Sequence, residues 1–295
     1  MMRVIHAPSL ADLTTLRLGG HAVALVCPES DEDIARLYET LSRLGGVPFM
    51  LGRGSNILAR SGALDVTLVR LRTEATPVFA GKDADGRARV RVNASCALPR
   101  LLAWCAARGF SGLEGLAGIP GEVGGALRMN AGSYGTSFTD CVTGVELLSP
   151  RTGRRQLAGD ALCPAYRHTT LPDDGPDTLI LNVELALNVS TRAAVLAAMR
   201  QHLRQKADTQ PVRAWSAGCT FANPEGLSAG RILDELGFKG KRIGGMAFSP
   251  MHANFLVNLG NGTSEEALEL IACARETVWR ERHIRLHLEV KLLPC

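Results

Sequence analysis

Glycine is unevenly distributed along this 295-residue chain, and its densest cluster constrains the fold more than any other feature. Residues 118–135 hold six glycines in eighteen positions, and a shorter cluster, residues 52–56, directly follows a predicted strand at residues 47–51. Glycine permits positive φ and close backbone approach, but ordering it costs chain entropy. The longer cluster therefore indicates a ligand-binding loop, whereas for the shorter one alone a tight turn is an equally good explanation.

The chemistry of the two clusters suits one extended ligand. The run Gly-Arg-Gly-Ser-Asn at residues 52–56 presents successive backbone N–H groups and a hydroxyl, which suit a diphosphate. It lacks the third glycine of the dinucleotide fingerprint and the lysine of a Walker A loop. In the longer cluster, the apolar side chains of Ile119, Val123 and Met129 can wrap a flat ring system. Together the clusters predict a bound dinucleotide.

The pattern of caps and apolar residues predicts an α+β fold. Helices are predicted to begin at Ser30, after Leu98-Pro99, at about Thr191 and at Thr263. Alternating or β-branched segments predict strands at residues 47–51, 66–71, 88–92, 142–148 and 179–187, and residues 285–292 also alternate like a strand. Because these elements show no regular βαβ rhythm, we expect α+β rather than a doubly wound parallel sheet.

Composition narrows the class of protein. The chain has 46% hydrophobic and 21% charged residues, no apolar run long enough to cross a bilayer, and no signal peptide at its start. We therefore expect a cytoplasmic enzyme without a membrane partner. The net charge of +4 comes from scattered residues and aromatics are only 5%, so we expect no nucleic-acid partner. The eight cysteines form no C-x-x-C pair, so we expect mostly buried free thiols and no metal centre.

Several motifs, in the right order along nearly the whole chain, resemble the UDP-N-acetylenolpyruvoylglucosamine reductase family. They are Thr14–Gly20, Leu51–Asn56, Gly118–Gly135, Lys239–Asn258 and Glu289–Lys291. The resemblance implies an FAD-binding domain of the vanillyl-alcohol-oxidase type, built of two α+β subdomains, followed by a smaller α+β substrate-binding domain. We place the subdomains at about residues 1–72 and 73–188 and the substrate domain at 189–295.

The resemblance also implies non-covalent FAD, NADPH as co-substrate, a UDP-sugar substrate and a role in peptidoglycan precursor synthesis. We expect a monomer. The predicted cofactor-binding residues come from the two glycine clusters: Gly52, Arg53, Gly54, Ser55, Asn56, Ile57, Gly118, Ile119, Pro120, Gly121, Val123, Gly124, Gly125, Asn130, Ala131 and Gly132. The short distance from Arg167 to Cys219 resembles the subclass that lacks an inserted tyrosine loop.

Three residues match the positions at which the family carries its catalytic groups: Arg167, Cys219 and Glu289. Reduction of an enolpyruvyl ether needs a hydride at one carbon, a proton at the other, and stabilisation of charge that develops on the carboxylate. A guanidinium at Arg167 can bind that carboxylate through two hydrogen bonds. Glu289, expected on a strand, would stabilise or protonate the enolic intermediate. For Arg167 and Glu289 taken alone, a surface arginine and a solvated glutamate are the simpler readings.

Cys219 departs from the family pattern, because most members carry a serine as the proton donor there. A thiol, with an ordinary pKa of about 8.5, gives up a proton more easily than an alcohol but is open to oxidation. A small buried cysteine is the competing interpretation. Four residues are predicted to contact substrate: Tyr166, Asn223, Lys239 and His252. Ala222 stands where the family usually has a lysine, which removes one expected anion contact.

Two other functions fit the same sequence features. A flavin oxidase of the same fold would act on an alcohol or sugar, and its reduced flavin would react rapidly with oxygen. A catalytically silent nucleotide-binding regulator would keep the fold, and the substitutions at Cys219 and Ala222 are its only support.

Overall fold

The computed structural model describes residues 2–172, 175 and 177–294. Its helices are α1 (Leu10–Leu13), α2 (Asp31–Ala35), α3 (Leu37–Leu44), α4 (Leu98–Arg108), α5 (Val123–Arg128), α6 (Arg192–Thr209), α7 (Ala229–Glu235) and α8 (Ser264–Arg282). Its strands are β1 (Arg3–His6), β2 (His21–Cys27), β3 (Val47–Met50), β4 (Ile57–Ala59), β5 (Ala63–Val69), β6 (Val78–Lys82), β7 (Ala88–Asn93), β8 (Phe110–Ser111), β9 (Gly132–Ser133), β10 (Thr136–Ser137), β11 (Val142–Ser149), β12 (Gly153–Ala158), β13 (Cys163–Ala165), β14 (His168–Thr170), β15 (Leu179–Val189), β16 (Trp215–Cys219), β17 (Arg242–Ile243), β18 (Met246–Phe248), β19 (Phe255–Asn258) and β20 (Lys291–Leu293).

The chain forms two compact units whose segments alternate along the sequence. Unit 1 comprises Met1–Ile5, Ala24–Gly52 and Thr67–Gln205, and unit 2 comprises His6–Val23, Arg53–Val66 and Lys206–Cys295. Strands β1, β2, β5 and β3 form a four-stranded sheet in that order.

Unit 1 is organised around an antiparallel sheet of order β12-β11-β15-β7-β6, with β8 also paired to β15. Helix α5 lies against β7 and β15. The core of this unit is a single cluster of buried apolar side chains from the sheet and from α3, α4 and α5. Burial of this apolar surface is the main contribution to its stability.

Unit 2 is organised around a four-stranded antiparallel sheet of order β16-β19-β18-β17, against which α8 packs. A parallel pair, β4 with β20, joins two segments far apart in sequence. The core here is a second, separate cluster that includes Phe221, Phe238 and Phe248, each at most 1% exposed. Each unit therefore has its own hydrophobic core.

The predicted helix starts are confirmed where a polar cap defines them. The Ser30 hydroxyl accepts a hydrogen bond from the Asp33 N–H, and Thr263 forms a reciprocal capping box with Glu266. The helix predicted from Ser30 is broken at Arg36, which has non-helical backbone angles between α2 and α3. The five predicted internal strands are all present, with ends shifted by a few residues.

Two predictions of local structure were wrong. The glycine-rich segment, interpreted as a loop, contains helix α5, because its small residues let the backbone pack closely against β7 and β15. The alternating segment 285–292 is not a strand over most of its length, since strand β20 begins only at Lys291. Among the described residues no helix is both long and apolar enough to span a membrane. All seven cysteines in the described part of the chain are outside disulfides, as predicted, but only Cys27, Cys96 and Cys105 are buried, so the expectation that most of them are buried was wrong.

Candidate functional site

The glycine-rich segment of unit 1 combines close packing with an open surface. The Gly124 N–H donates to the carbonyl of Ala94 at 2.9 Å, and a Cβ on Gly124 would lie 3.1 Å from the Ala94 Cβ. At the next residue, Gly125, a Cβ would meet nothing within 4 Å. One glycine of α5 therefore serves packing, whereas its neighbour leaves room for a bound group.

The first glycine cluster begins in unit 1 beside the second. A Cβ on Gly52 would lie 3.3 Å from the carboxylate oxygen Oε2 of Glu122, which is only 8% exposed. Gly52, the first residue of the shorter cluster, and Glu122, within the longer one, are therefore neighbours in unit 1.

Asn130 links the glycine-rich segment to the hairpin that carries Arg167. Its backbone is in the left-handed region, with φ of 38°, and its side-chain amide donates to the carbonyl of Ala165 at 3.1 Å. The same side chain accepts a hydrogen bond from the Thr139 hydroxyl at 2.8 Å. Asparagine tolerates positive φ better than most residues, so it can hold this turn and bridge the hairpin at once.

Arg167 occupies the turn between β13 and β14, where its φ is 58°. Its Nη1 donates to the carbonyl of Gly132 at 2.8 Å, and its guanidinium lies 5.0 Å from the ring centroid of Tyr166. A Cβ on Gly132 would sit 3.2 Å from Nη1, so a larger residue there would crowd the guanidinium. The structure thus brings predicted catalytic, substrate and cofactor residues together in unit 1.

In unit 2 the remainder of the first glycine cluster is fixed by backbone packing. Gly54 has φ of +66°, and a Cβ there would lie 2.4 Å from the Leu13 carbonyl oxygen and 2.9 Å from the Thr14 Cα. The Thr15 N–H donates to the Gly54 carbonyl at 3.2 Å. Close approach of two backbone segments is therefore sufficient to require glycine at this position.

Asn56 joins this loop to Glu289. Its side-chain amide donates to the Glu289 carbonyl at 3.1 Å, and its own carbonyl accepts from the Lys291 N–H at 2.9 Å. The parallel pairing of β4 with β20 begins at the next position, Ile57 with Lys291. A predicted cofactor loop and a predicted catalytic residue therefore share hydrogen bonds within unit 2.

Glu289 lies in a bend, which corrects the expectation that it stands on a strand. Leu288 makes only an isolated bridge with Phe221. The N–H groups of Glu289 and Val290 both point to the carbonyl of Thr220, at 2.9 and 3.4 Å. Two successive donors on one acceptor require the chain to turn, so the alternation of a strand is interrupted at the proposed catalytic position.

Cys219 ends strand β16 immediately after a β-bulge. The register with β19 passes from Ser216–Val257 to Cys219–Phe255, so β16 carries one extra residue. Gly218 provides the positive φ of the bulge, +80°, and its N–H donates to the Ser216 hydroxyl at 3.1 Å. A bulge redirects the side chains around it. Because Thr220 follows Cys219 directly and accepts from Glu289, the structure brings Cys219 and Glu289 to adjoining backbone positions.

Two of the predicted substrate residues, Lys239 and His252, lie in one charged cluster of unit 2. Lys239 Nζ forms an ion pair with Asp234 at 2.6 Å. Burial lowers the pKa of His252, and the nearby Lys239 charge lowers that pKa further while Asp234 opposes the effect. The Asn254 N–H donates to His252 Nδ1 at 3.2 Å, so a neutral imidazole carries its proton on Nε2. Sequence reasoning missed Asp234, since a carboxylate on α7 gave no motif.

Asn223 has a structural contact in addition to its predicted role. Its side-chain oxygen accepts a hydrogen bond at 3.0 Å from the N–H of Ala229, the first residue of α7. This oxygen therefore satisfies one of the backbone donors that a helix start leaves open.

Two protein families match separate parts of the chain. Residues 22–157 match the family described as "FAD binding domain", and residues 210–293 match "UDP-N-acetylenolpyruvoylglucosamine reductase, C-terminal domain". Together these two domains define a flavoenzyme oxidoreductase. The predicted α+β class, with an FAD-binding domain followed by a C-terminal domain, is confirmed.

Similar proteins along the whole length of the chain belong to one family. UDP-N-acetylenolpyruvoylglucosamine reductase of Nitratidesulfovibrio vulgaris is 49% identical over 99% of both chains, and that of Caulobacter vibrioides is 34% identical over 96% of this chain and 92% of its own. The crystal structure of the reductase from Thermus caldophilus is 35% identical, covers 100% of both chains and superposes with a TM-score of 0.84. The chain belongs to the UDP-N-acetylenolpyruvoylglucosamine reductase family.

Proposed function

We propose that this chain reduces UDP-N-acetylenolpyruvoylglucosamine to UDP-N-acetylmuramate with NADPH, as a step in peptidoglycan precursor synthesis. Family membership over the whole length supports the reaction. One hydrogen bond supports the assignment of Cys219 and Glu289 to the same site: the carbonyl of Thr220, the residue after Cys219, accepts from the Glu289 N–H. The proposal includes a monomeric cytoplasmic protein and keeps the domain limits 1–188 and 189–295.

The residues of the two glycine clusters fit FAD. Gly125 leaves open space where a side chain would stand. A Cβ on Gly52 would lie 3.3 Å from Glu122 Oε2, and one on Gly132 would lie 3.2 Å from Arg167 Nη1, so a side chain at either position would displace its neighbour. When bound, FAD supplies the hydride, which it first receives from NADPH. The chain contributes the cradle, and in unit 1 it holds Arg167 against the same glycine-rich segment.

Arg167 would bind the carboxylate of the enolpyruvyl group. Its hydrogen bond to the Gly132 carbonyl uses one N–H of the guanidinium and fixes the plane of the group. A planar cation fixed in this way can stabilise the negative charge that grows on a carboxylate during reduction. Positive φ at Arg167 is backbone strain of the kind that concentrates at functional positions.

Cys219 would donate the proton that completes the reduction, to the carbon that carries the ether oxygen and the carboxylate. Hydride arrives at the terminal carbon, so the C=C bond becomes a single bond and the thiol S–H is converted to a thiolate. Solvent then returns a proton to the sulfur. Glu289, on the adjoining segment, would stabilise the enolic intermediate.

Lys239 and His252 would bind the polar part of the UDP-sugar. A diphosphate would compete with Asp234 for the Lys239 ammonium, and the neutral imidazole of His252 can donate through Nε2–H. The other two proposed substrate-binding groups are the side chain of Tyr166, which is 56% exposed, and the amide of Asn223.

The flavin spectrum tests the proposal. The purified protein is expected to be yellow, to lose its visible flavin absorbance with NADPH under anaerobic conditions, and to recover it on addition of UDP-N-acetylenolpyruvoylglucosamine. Rapid recovery with oxygen alone, and none with the UDP-sugar, would instead support a flavin oxidase. Binding of NADPH without any absorbance change would support a silent regulator.

A further inference from the structure

A single buried asparagine, Asn254, holds the main chain next to Cys219. Asn254 is 2% exposed and directly precedes strand β19. Its side-chain Oδ1 accepts from the Phe221 N–H at 2.9 Å, and its Nδ2 donates to the Phe221 carbonyl at 2.8 Å. Its backbone carbonyl accepts from the Thr220 N–H at 2.7 Å. Three hydrogen bonds from one residue therefore fix the two residues that follow Cys219.

The side chain of Asn254 replaces a missing strand partner. Regular pairing of β16 with β19 ends at Cys219, and beyond it the chain leaves the sheet. A primary amide carries one acceptor and one pair of donors, the same groups that a backbone residue would offer across a ladder. Phe221 is 0% exposed, so its N–H and carbonyl would otherwise be costly to bury.

The opposite edge of the same segment is held by the chain near Glu289. The Ala222 N–H donates to the His287 carbonyl at 2.9 Å, and the Thr220 carbonyl accepts from the Glu289 N–H at 2.9 Å. Residues 220–222 are therefore fixed between Asn254 and residues 287–289. The bulge leaves Cys219 as the junction between the ordinary ladder and this doubly held segment.

We propose that Asn254 is a positioning residue for proton transfer from Cys219, acting through the Thr220–Phe221 backbone. The inference rests on the proposed role of Cys219 as proton donor. Asn254 itself touches no reacting atom in this proposal, because both of its side-chain hydrogen bonds are made to Phe221. Proton transfer depends steeply on geometry, so a small displacement of the sulfur should slow this step while leaving flavin reduction unaffected.

The test compares the two half-reactions in Asn254→Ala by stopped-flow absorbance of the bound flavin, so that only folded, flavin-containing molecules contribute. Reoxidation by UDP-N-acetylenolpyruvoylglucosamine should slow by roughly 10- to 100-fold, and reduction by NADPH should change by less than about twofold. Asn254→Ser, whose hydroxyl is too short to make both bonds to Phe221, is the second variant should the alanine variant not fold. A parallel slowing of both half-reactions, or no slowing of either, overturns the proposal.

Asn258→Ala is the matched control, because Asn258 is also a buried asparagine and lies at the other end of β19. Its side chain contacts Leu16, Gly260 and Gly262 instead of residues 220–222. It should reproduce the loss of a buried amide without slowing reoxidation relative to reduction. An equal selective slowing in this control overturns the assignment to Asn254.

A double-mutant comparison separates positioning from the role of Cys219 itself. If Asn254 acts through Cys219, adding Asn254→Ala to Cys219→Ala should slow reoxidation by less than about threefold further. The full 10- to 100-fold effect in that background would overturn the proposal while leaving the proton-donor role intact. Full reoxidation rate in Cys219→Ala alone would refute the proton-donor role, and the positioning role with it.

Discussion

The two units hold their candidate catalytic residues in different ways. In unit 1, Arg167 is placed by side-chain contacts. Its own guanidinium donates to the Gly132 carbonyl, and the Asn130 amide donates to the hairpin that carries Arg167. In unit 2, Cys219 and Glu289 are placed through their backbone, by main-chain hydrogen bonds and by the side-chain amides of Asn254 and Asn56. A long cationic side chain can therefore be oriented by contacts to its head group, whereas the position of a two-atom thiol side chain is set by its backbone.

Removal of the thiol is expected to have the largest effect. Cys219→Ala should slow flavin reoxidation by the UDP-sugar by about 10²- to 10⁴-fold, the usual contribution of a positioned general acid. Reduction by NADPH should be unchanged, since the flavin cradle is untouched. Stopped-flow measurement of both half-reactions checks this, with flavin content as the control for folding.

Cys219→Ser tests whether the sulfur or its position matters, because it keeps a proton donor on the same backbone. We expect it to retain most of the reoxidation rate and to lose sensitivity to hydrogen peroxide, which would oxidise the native thiol. A serine variant as slow as the alanine variant would show that the sulfur itself, and not its position, decides the rate.

Replacement of the guanidinium tests the side-chain half of the comparison. Arg167→Lys keeps the charge but loses the planar fork and its bond to the Gly132 carbonyl. Reoxidation by the UDP-sugar should fall by about 10²-fold, comparable to the loss of one donor to a developing anion. Arg43→Lys, on an exposed part of α3, is the matched control and should have no effect. Equal rates for both variants would remove Arg167 from the proposed chemistry.

Local signals in the sequence predicted much of the fold but only part of the site. The caps at Ser30 and Thr263 are encoded within four residues, so the helix starts could be predicted. The bulge before Cys219 depends on the register with β19, about forty residues away, and no local pattern reveals it. The only local signal for Asn254 is weak, an amide among apolar residues. Its hydrogen-bond partner, Phe221, is known only from the fold.

Gly54 provides a test of how tightly the backbone determines unit 2. Gly54→Ala combines positive φ with a Cβ that would lie 2.4 Å from the Leu13 carbonyl, so it should lower the free energy of unfolding by about 3 kcal/mol and reduce flavin content. Gly62→Ala, also in unit 2, has φ of +83° but nothing within 4 Å of its Cβ. It should cost only about 1 kcal/mol. Denaturant unfolding of both variants checks the difference, and equal losses would mean that φ alone matters.

The smallest expected effect concerns the side-chain network that ties the sheet of unit 1 together. Glu146 on β11 accepts hydrogen bonds from Arg91 at 2.7 Å, Arg154 at 2.6 Å and Asn182 at 2.7 Å. Burial alone would raise the pKa of Glu146, but the hydrogen bonds from Arg154 and Asn182 and the two arginine charges outweigh it and hold the pKa below its ordinary value of 4.5.

Because that pKa is lowered by folding, the unfolded chain binds more protons in the pH range around and between 4.5 and the folded pKa. The stabilisation is therefore present above pH 4.5 and lost as the pH falls through the folded pKa. Glu146→Gln should therefore lower the free energy of unfolding by about 1 kcal/mol at pH 7, and the difference from the native chain should shrink as the pH falls below 4.5 and through the folded pKa. Denaturant unfolding from pH 3 to pH 8 measures this, with Glu39→Gln, on the exposed face of α3, as the control. A difference independent of pH would show that packing around Glu146, rather than its charge, holds β11 in place.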